Sequence, residues 1–139
     1  MQKIVIDTNV LVSALIQRSY PYLIVNELFT KDAIELCISE ELLTEYYAVL
    51  SRPKFARFHD FFIRAEALLA EIEANATKFS PKIKLQLISD VDDNMILELA
   101  DESAAHYIIT GNTTDFTFPK YKDTEIVTPK EYWENHQSK

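Results

Sequence analysis

The chain has 139 residues, of which 47% are hydrophobic, and its formal net charge is -8. This apolar content is enough for a folded core and argues against a disordered chain, while the negative charge argues against a broad basic surface that wraps nucleic acid. Only one glycine is present, Gly111, which excludes the glycine-rich phosphate loops of the common nucleotide-binding folds.

Several features predict a cytoplasmic protein. The single cysteine, Cys37, lies in the apolar run AIELCIS, so it forms no internal disulfide and we expect it to be buried. The opening MQKIVIDTNVLVSALI is interrupted by Asp7, Thr8 and Asn9 and lacks a small-residue cleavage site, unlike a signal peptide. No apolar run reaches the roughly 18 residues that a membrane span needs.

Strand-like and helix-like patterns alternate along the chain. The predicted strands are KIVID, AIELCIS, HYIITG and EIVT, with a further short strand near Lys78 and Phe79. The predicted helices cover residues 9–17, 20–31, 39–52, 55–76, 93–105 and 129–136. Thr8 or Asn9 is expected to cap the first helix and Ser39 the third, and Pro129 suits the first turn of the last. The alternation predicts an α/β domain over residues 1–139, with helices on both faces of a parallel sheet.

Four acids lie at or beside apolar segments that a folded chain should bury: Asp7, Glu45, Asp93 and Asp115. A buried carboxylate is costly to desolvate unless it is paired, hydrogen-bonded or bound to a metal. Since no matching set of cationic residues is evident, a shared divalent cation is the interpretation that satisfies all four. Asp7 closes the first strand and Asp115 follows HYIITG, so both should face the rim where such sheets bind ligands.

The two helical acids are placed by periodicity. Glu45 flanks an apolar stripe that contains Leu42 and Val49, whereas Glu40 and Glu41 lie nearer the outer side. Asp93 precedes Ile96, Leu97, Ala100 and Ala104 at spacings that put it inside the buried stripe, and Glu98 and Glu102 are expected to point outward.

Each acid also has an ordinary structural interpretation. Asp7 could be stabilised by a helix dipole, Glu45 could reach solvent from the boundary, Asp93 could be a helix N-cap and Asp115 a turn residue. The three histidines offer no other mechanism, because His59, His106 and His136 share no metal-ligand spacing.

Four blocks of the sequence resemble, in order, the PIN domain, and in particular bacterial toxins of that family related to VapC. The blocks are VIDTNVLVSAL, ISEELLTEYYAVLSRPKF, DVDDNMILELADESAAHYIITGNTTDF and IVTPKEYWE. The resemblance implies a three-layer α/β/α sandwich with a mostly parallel sheet of about five strands. It also implies metal-dependent cleavage of RNA by a metal-activated water, in a toxin of a toxin–antitoxin pair.

The resemblance assigns the family's acidic site to the same four acids. Asp7, Asp93 and Asp115 would bind Mg²⁺ or Mn²⁺, and Glu45 would bind it too or orient the attacking water. Thr8, Asn9 and Asn112 would support these ligands through hydrogen bonds, and some family members carry Asp where this chain has Asn112. Cations in two short basic stretches are candidates for RNA contact, or simply belong to a solvated face or loop: Arg52, Lys54, Arg57, Lys82 and Lys84.

The resemblance also implies partners. A basic antitoxin would suit the acidic rim, and a homodimer could use aromatic residues of the central helices, at least half of which we expect in the core: Tyr46, Tyr47, Phe61 and Phe62. One alternative is a phosphatase with Asp7 as nucleophile, although Asn9 stands where such sites need a second Asp. The other is a catalytically silent PIN-fold module that binds RNA or protein.

Overall fold

The computed structural model describes residues 1–84, 91–111 and 119–137. Its centre is a six-stranded sheet in the order β3-β2-β1-β4-β6-β5. Every neighbouring pair is parallel except β5 and β6, so the predicted mostly parallel sheet is confirmed. The strands are β1 Lys3–Ile6, β2 Glu35–Ile38, β3 Thr77–Lys78, β4 Tyr107–Ile109, β5 Lys120–Tyr121 and β6 Thr124–Val127. Of these six described strands, only the antiparallel β5 was not predicted from the sequence patterns.

Helices connect the strands. They are α1 Thr8–Ile16, α2 Tyr20–Leu23 with a π-helical continuation Ile24–Phe29, α3 Glu40–Leu50, a 3-10 helix Pro53–Arg57, α4 Phe61–Asn75, α5 Val91–Ser103, and α6 Pro129–Glu131 with a π-helical continuation Tyr132–His136. The helices α1, α3 and α4 contact one another, whereas α5 packs on β1, β2 and β4. Because crossovers between parallel strands are right-handed, the reversal of strand order after β3 places α5 on the opposite face, which gives three layers.

Helix caps follow the sequence signals in two of three cases. Ser39 Oγ accepts a 3.1 Å hydrogen bond from Leu42 N, and Thr128 and Glu131 form a reciprocal capping box around Pro129. The expected cap of α1 by Thr8 or Asn9 is wrong, because the helix begins at Thr8 and Asp7 takes the N-cap position. The Asp7 side chain makes no capping hydrogen bond there, and it accepts a hydrogen bond from Thr110, which follows β4.

The hydrophobic core includes two of the four aromatic residues that were considered for a homodimer interface. Tyr46 and Phe61 are fully buried, while Tyr47 and Phe62 are 41% and 40% exposed. Cys37 is buried as expected. Burial raises the pKa of its thiol from 9.0 to about 11. Within the described residues, no helix is both long enough and apolar enough to cross a membrane.

Two expectations for α5 are wrong. Ile96, Leu97 and Ala100 are buried as predicted and Glu102 is exposed, but Glu98 is buried, with only 6% of its surface exposed. The helix also ends at Ser103 rather than at residue 105, because Ala104 adopts a left-handed conformation with φ 54° and is exposed. Backbone hydrogen bonds from Ala104 N to Asp101 O and from Ala105 N to Ala100 O close a Schellman motif there.

Candidate active site

The sheet has a topological switch point between β1 and β4. The chain leaves β1 for β2 and β3 on one side, and returns to β4 on the other side of β1. In sheets of this kind, ligands bind outside the carboxyl ends of the strands where the order reverses. Asp7 follows β1 and Thr110 follows β4 at this point.

Asp7 is fixed by contacts with the end of β4. Its backbone N–H donates to Ile109 O at 2.9 Å, and its Oδ2 accepts a 2.7 Å hydrogen bond from Thr110 Oγ1. Thr110 is fully buried, whereas Asp7 is half-buried and keeps access to the rim. The carboxylate is therefore oriented by the neighbouring strand and not by its own helix.

Glu45 is tied to the residue that follows Asp7. Thr8 Oγ1 donates a 2.5 Å hydrogen bond to Glu45 Oε2, which joins the start of α1 to the middle of α3. Thr8 is 5% exposed and Glu45 is half-buried. Leu42 on the same face of α3 is fully buried while Glu40 and Glu41 are exposed, so the predicted boundary position of Glu45 is confirmed.

Tyr46 supports the same region and was not predicted as part of the site. Its hydroxyl donates a 2.5 Å hydrogen bond to the carbonyl oxygen of Ile6, the last residue of β1. The pairing of β1 with β2 includes Lys3 and Ile4 but not Ile6. The Tyr46 hydroxyl therefore supplies the hydrogen-bond donor for the Ile6 carbonyl at the point where the two strands have separated. Burial, followed by the negative charges of Asp7 and Glu45, raises the pKa of Tyr46 well above its usual value. The signal for its burial was its spacing of four residues from Leu42 and from Leu50.

Asp93 is the most deeply buried of the described candidate acids, with 7% of its surface exposed. It is the third residue of α5, so it is not the N-cap of that helix. The helix contacts β1, which Asp7 follows, and α3, which carries Glu45, as well as β2. Two further polar residues of α5, Asn94 and Glu98, are also buried, and Lys84 Nζ lies 3.7 Å from Glu98 Oε1.

The remaining predicted site residues are placed differently. Asp115 and Asn112 lie outside the described residues. Asn9 is exposed, and its Oδ1 lies 3.5 Å from the backbone nitrogen of Gly111. Asn9 and Gly111 thus extend the rim beyond Asp7.

Three of the predicted RNA-contacting cations follow the end of α3 that lies away from the rim. Helix α3 begins at the rim after β2, and Arg52 follows its end, about 18 Å along the helix axis. Arg52, Lys54 and Arg57 are all exposed, with Lys54 and Arg57 over the rings of Phe55 and Phe58. Lys82 is exposed in the segment before α5, and Lys84 forms an ion pair with Glu98 on α5, the helix that carries Asp93.

The donor atoms suit a hard divalent cation. Carboxylate oxygens are the protein ligands that Mg²⁺ prefers, and Asp7, Glu45 and Asp93 supply them from three elements. Among residues 1–84, 91–111 and 119–137, however, no three His, Cys, Asp or Glu side chains form a cluster that could hold a metal ion. The chemistry of the described donors fits such a cation, with Asp7 and Glu45 as its best-positioned holders, but the described residues do not complete the site.

Two comparisons with known proteins bear on these observations. No curated protein matches the chain. A family model described as PIN domain matches residues 3–114, from β1 to just beyond β4. This match includes Asp7, Thr8, Glu45, Asp93 and Thr110, and leaves β5, β6 and α6 outside. Since it covers well over half of the chain and agrees with the switch-point topology, the chain belongs to the PIN domain family, whose members are generally nucleases and typically use divalent metal ions.

Proposed function

We propose that this protein is a metal-dependent ribonuclease that hydrolyses phosphodiester bonds. The observation that carries the proposal is the chain of contacts at the switch point, in which Thr110 orients Asp7 and Thr8 orients Glu45. Two carboxylates that are held by buried threonines beside the ends of β1 and β4 form a preorganised acidic rim in a nuclease-type fold. Preorganised groups lower a reaction barrier because they need not be reordered during the reaction.

The proposed roles follow from these placements. Asp7, Asp93 and Asp115 would hold Mg²⁺ or Mn²⁺, with Glu45 as a further ligand or as the group that orients the attacking water. When bound, the cation would acidify a water and offset negative charge on the phosphate. Thr110 and Thr8 would keep the two carboxylates in fixed positions, and Tyr46 would hold the end of β1. Attack would be in line on the phosphodiester, without help from the ribose 2′-hydroxyl.

The histidines support a mechanism without a histidine pair. His106 Nδ1 accepts a 2.9 Å hydrogen bond from Lys3 N, at the start of β1 and away from the rim. The side chain of His59 is 95% exposed beside Asp60, and His136 lies 3.7 Å from Glu125. None of these contacts involves a candidate acid.

The cellular part of the proposal is that the ribonuclease is a cytoplasmic toxin that an antitoxin silences. The resemblance of the four sequence blocks and the net charge of -8 support it, since a basic inhibitor would be attracted to the acidic rim. Induced expression in bacteria should arrest growth, and Asp7→Asn should relieve the arrest. If cells that express the soluble, unsubstituted protein grow as fast as uninduced cells, the toxin role is contradicted.

One observation favours a second candidate function, a catalytically silent PIN-fold module that binds RNA or protein. The described residues do not bring three potential ligands into one metal cluster. A protein of this kind would bind RNA or a partner without cutting any substrate.

The deciding experiment is cleavage of a panel of tRNA, structured RNA and single-stranded RNA. Reactions contain Mg²⁺ or Mn²⁺, or EDTA, and compare the wild type with Asp7→Asn and Asp93→Asn. Glu102→Gln is the matched control, because Glu102 is an exposed acid on the helix of Asp93. Metal-dependent cleavage that both Asp variants lose and the control keeps supports the nuclease. A wild type that cuts nothing, or Asp variants that cut as well as the wild type, would favour the binding module.

A further inference from the structure

A small cavity opens beside the acidic rim. It has a volume of about 280 Å³ and lies between the starts of α1, α2 and α6 and the end of β4. It is lined by Asn9, Val10, Ser13, Pro21, Gly111 and Pro129. Pockets for drug-sized ligands are larger, roughly 300–1,000 Å³, so this cavity suits one ring system of modest size.

Two residues of the cavity lining are close neighbours in the chain of the residues that form the proposed site. Asn9 is two residues after Asp7, so their Cα atoms are at most about 7.6 Å apart. Gly111 directly follows Thr110, whose hydroxyl orients Asp7. A group that occupies the cavity would therefore be a close neighbour of a phosphate that meets Asp7.

None of the described residues that line the cavity carries a charged side chain, although the chain as a whole has a net charge of -8. A neutral lining gives little attraction to a phosphate or a metal ion. Apolar walls come from Val10, Pro21 and Pro129, and uncharged hydrogen-bonding groups come from Asn9 and Ser13. Apolar faces with polar groups along the edge are the features of a nucleobase, which single-strand binders recognise by face contacts and by hydrogen bonds to its edges.

Asn9 is placed to read such an edge. Its Oδ1 faces the backbone nitrogen of Gly111 at 3.5 Å, and the side chain is exposed. The amide nitrogen therefore remains as the donor toward a ligand. Asparagine amides recognise base edges in nucleic-acid complexes, where a well-formed pair discriminates between bases.

We infer that this cavity receives one unpaired nucleobase of the RNA, next to the phosphate at Asp7. The inference rests on the proposed function and adds to it a defined contact with the base beside the cleaved bond. The base would position the RNA, whereas the carboxylates would act on the phosphate. Blocking the cavity should therefore weaken RNA binding much more than it slows the chemical step.

The test compares the wild type with Ser13→Leu, which fills the cavity, and Asn9→Ala, which removes the amide donor from an exposed position. Ser80→Leu is the matched control, because it makes the same chemical change at an exposed residue outside the cavity. The substrates are single-stranded RNA oligonucleotides with one defined cleavage site and an abasic nucleotide placed in turn on each side of it. We expect Ser13→Leu to raise KM about tenfold or more with kcat changed by less than about threefold. One abasic position should raise KM for the wild type and have no further effect in Ser13→Leu.

Binding of the same oligonucleotides in EDTA, measured by fluorescence anisotropy, separates failure of the inference from failure of the proposed function. If the wild type cuts no RNA, a base-dependent affinity that Ser13→Leu loses still supports the cavity as a base site. If the wild type cuts RNA but KM is unchanged by Ser13→Leu, by Asn9→Ala and by every abasic position, the inference is wrong. Absence of any base-dependent binding and cleavage would also overturn it. Should Ser13→Leu fail to fold, Asn9→Ala and the abasic substrates decide the matter.

Discussion

The hydroxyl of Thr110 donates a 2.7 Å hydrogen bond to Oδ2 of Asp7, across 103 residues of sequence. Thr110 is fully buried at the end of β4, and Asp7 is half-buried at the end of the adjacent β1. The bond joins the two strands at the point where strand order reverses. The direction of the Asp7 carboxylate is therefore set by a side chain from the other half of the fold.

We expect Thr110→Val to weaken metal binding and RNA cleavage about 10- to 100-fold, because groups that orient a metal ligand have effects of this size. Valine keeps the shape of threonine and lacks its hydroxyl. Thr110→Ser, which keeps the hydroxyl, should stay close to the wild type. Isothermal titration with Mn²⁺ and cleavage rates provide the measurement, and equal affinities for the Val variant and the wild type would contradict the assigned role.

Tyr46→Phe should lower the free energy of unfolding by about 1–3 kcal/mol, because it leaves the carbonyl of Ile6 without its buried donor. The adjacent Tyr47→Phe is a close control, since Tyr47 is 41% exposed and donates its hydroxyl to Glu73 on the surface. Water can replace that bond, so the control should change stability by less than about 0.5 kcal/mol. Urea unfolding curves measure the free energy of unfolding of both variants. Equal decreases would show that the hydrogen bond to Ile6 stabilises the fold no more than the surface bond of Tyr47 does.

Cys37 should make stability fall in alkaline solution. Burial raises the pKa of its thiol from 9.0 to about 11, so the folded state holds the proton more tightly than the unfolded chain. This contribution is fully present below pH 9 and is lost as the pH rises to about 11, with a total on the order of 2–3 kcal/mol. Unfolding free energies between pH 8 and 11 should decline less steeply in Cys37→Ala. Parallel curves for the two proteins would refute this assignment.

The buried tyrosines also contribute to the decline above pH 10, but they are the same in both proteins and do not obscure that comparison. The pKa of Tyr46 lies well above 10.0, and that of Tyr132 is about 12, in both cases chiefly because of burial. They stabilise the fold below pH 10 and lose this contribution only as the pH rises further.

Ala104→Gly should stabilise the protein by about 1 kcal/mol. Ala104 has φ 54° at the end of α5, a left-handed conformation that costs roughly 1–2 kcal/mol for residues with a Cβ atom. The matched control is Ala70→Gly on the exposed surface of α4, where glycine should destabilise the helix by about 0.5–1 kcal/mol. Thermal and urea unfolding should therefore shift in opposite directions for the two variants, and a shift in the same direction would contradict the strain at Ala104.

The layered fold could be predicted because its signals are local. Alternating patterns gave the strands and helices, and a serine before two glutamates gave the cap of α3 at Ser39. The position of Asp7 at a strand end was also readable, since an apolar run of three residues precedes it. Such features depend only on neighbours in the sequence.

The contacts that organise the site could not be predicted in the same way. The bonds from Thr110 to Asp7 and from Tyr46 to Ile6 join segments that lie far apart in the sequence. Glu98 was misplaced because a periodic pattern assumes one buried face, whereas α5 packs on the sheet and also contacts α3. Ala104 was misplaced because alanine favours helices and gives no local signal for a left-handed end.

The hydrogen bond from Thr110 N to Val127 O, at 3.0 Å, connects the rim to a strand that the family match does not reach. Without β6, β4 would become a bare sheet edge, and bare edges pair with other chains. Gln2, next to β1, also depends on this part of the chain, because it accepts a hydrogen bond from the Tyr132 hydroxyl and donates one to the carbonyl of His136. A fragment trimmed to the matched residues 3–114 would retain the described acids and lose the β6 contacts that support the end of β4, so the family match is shorter than the structural unit that holds the site together.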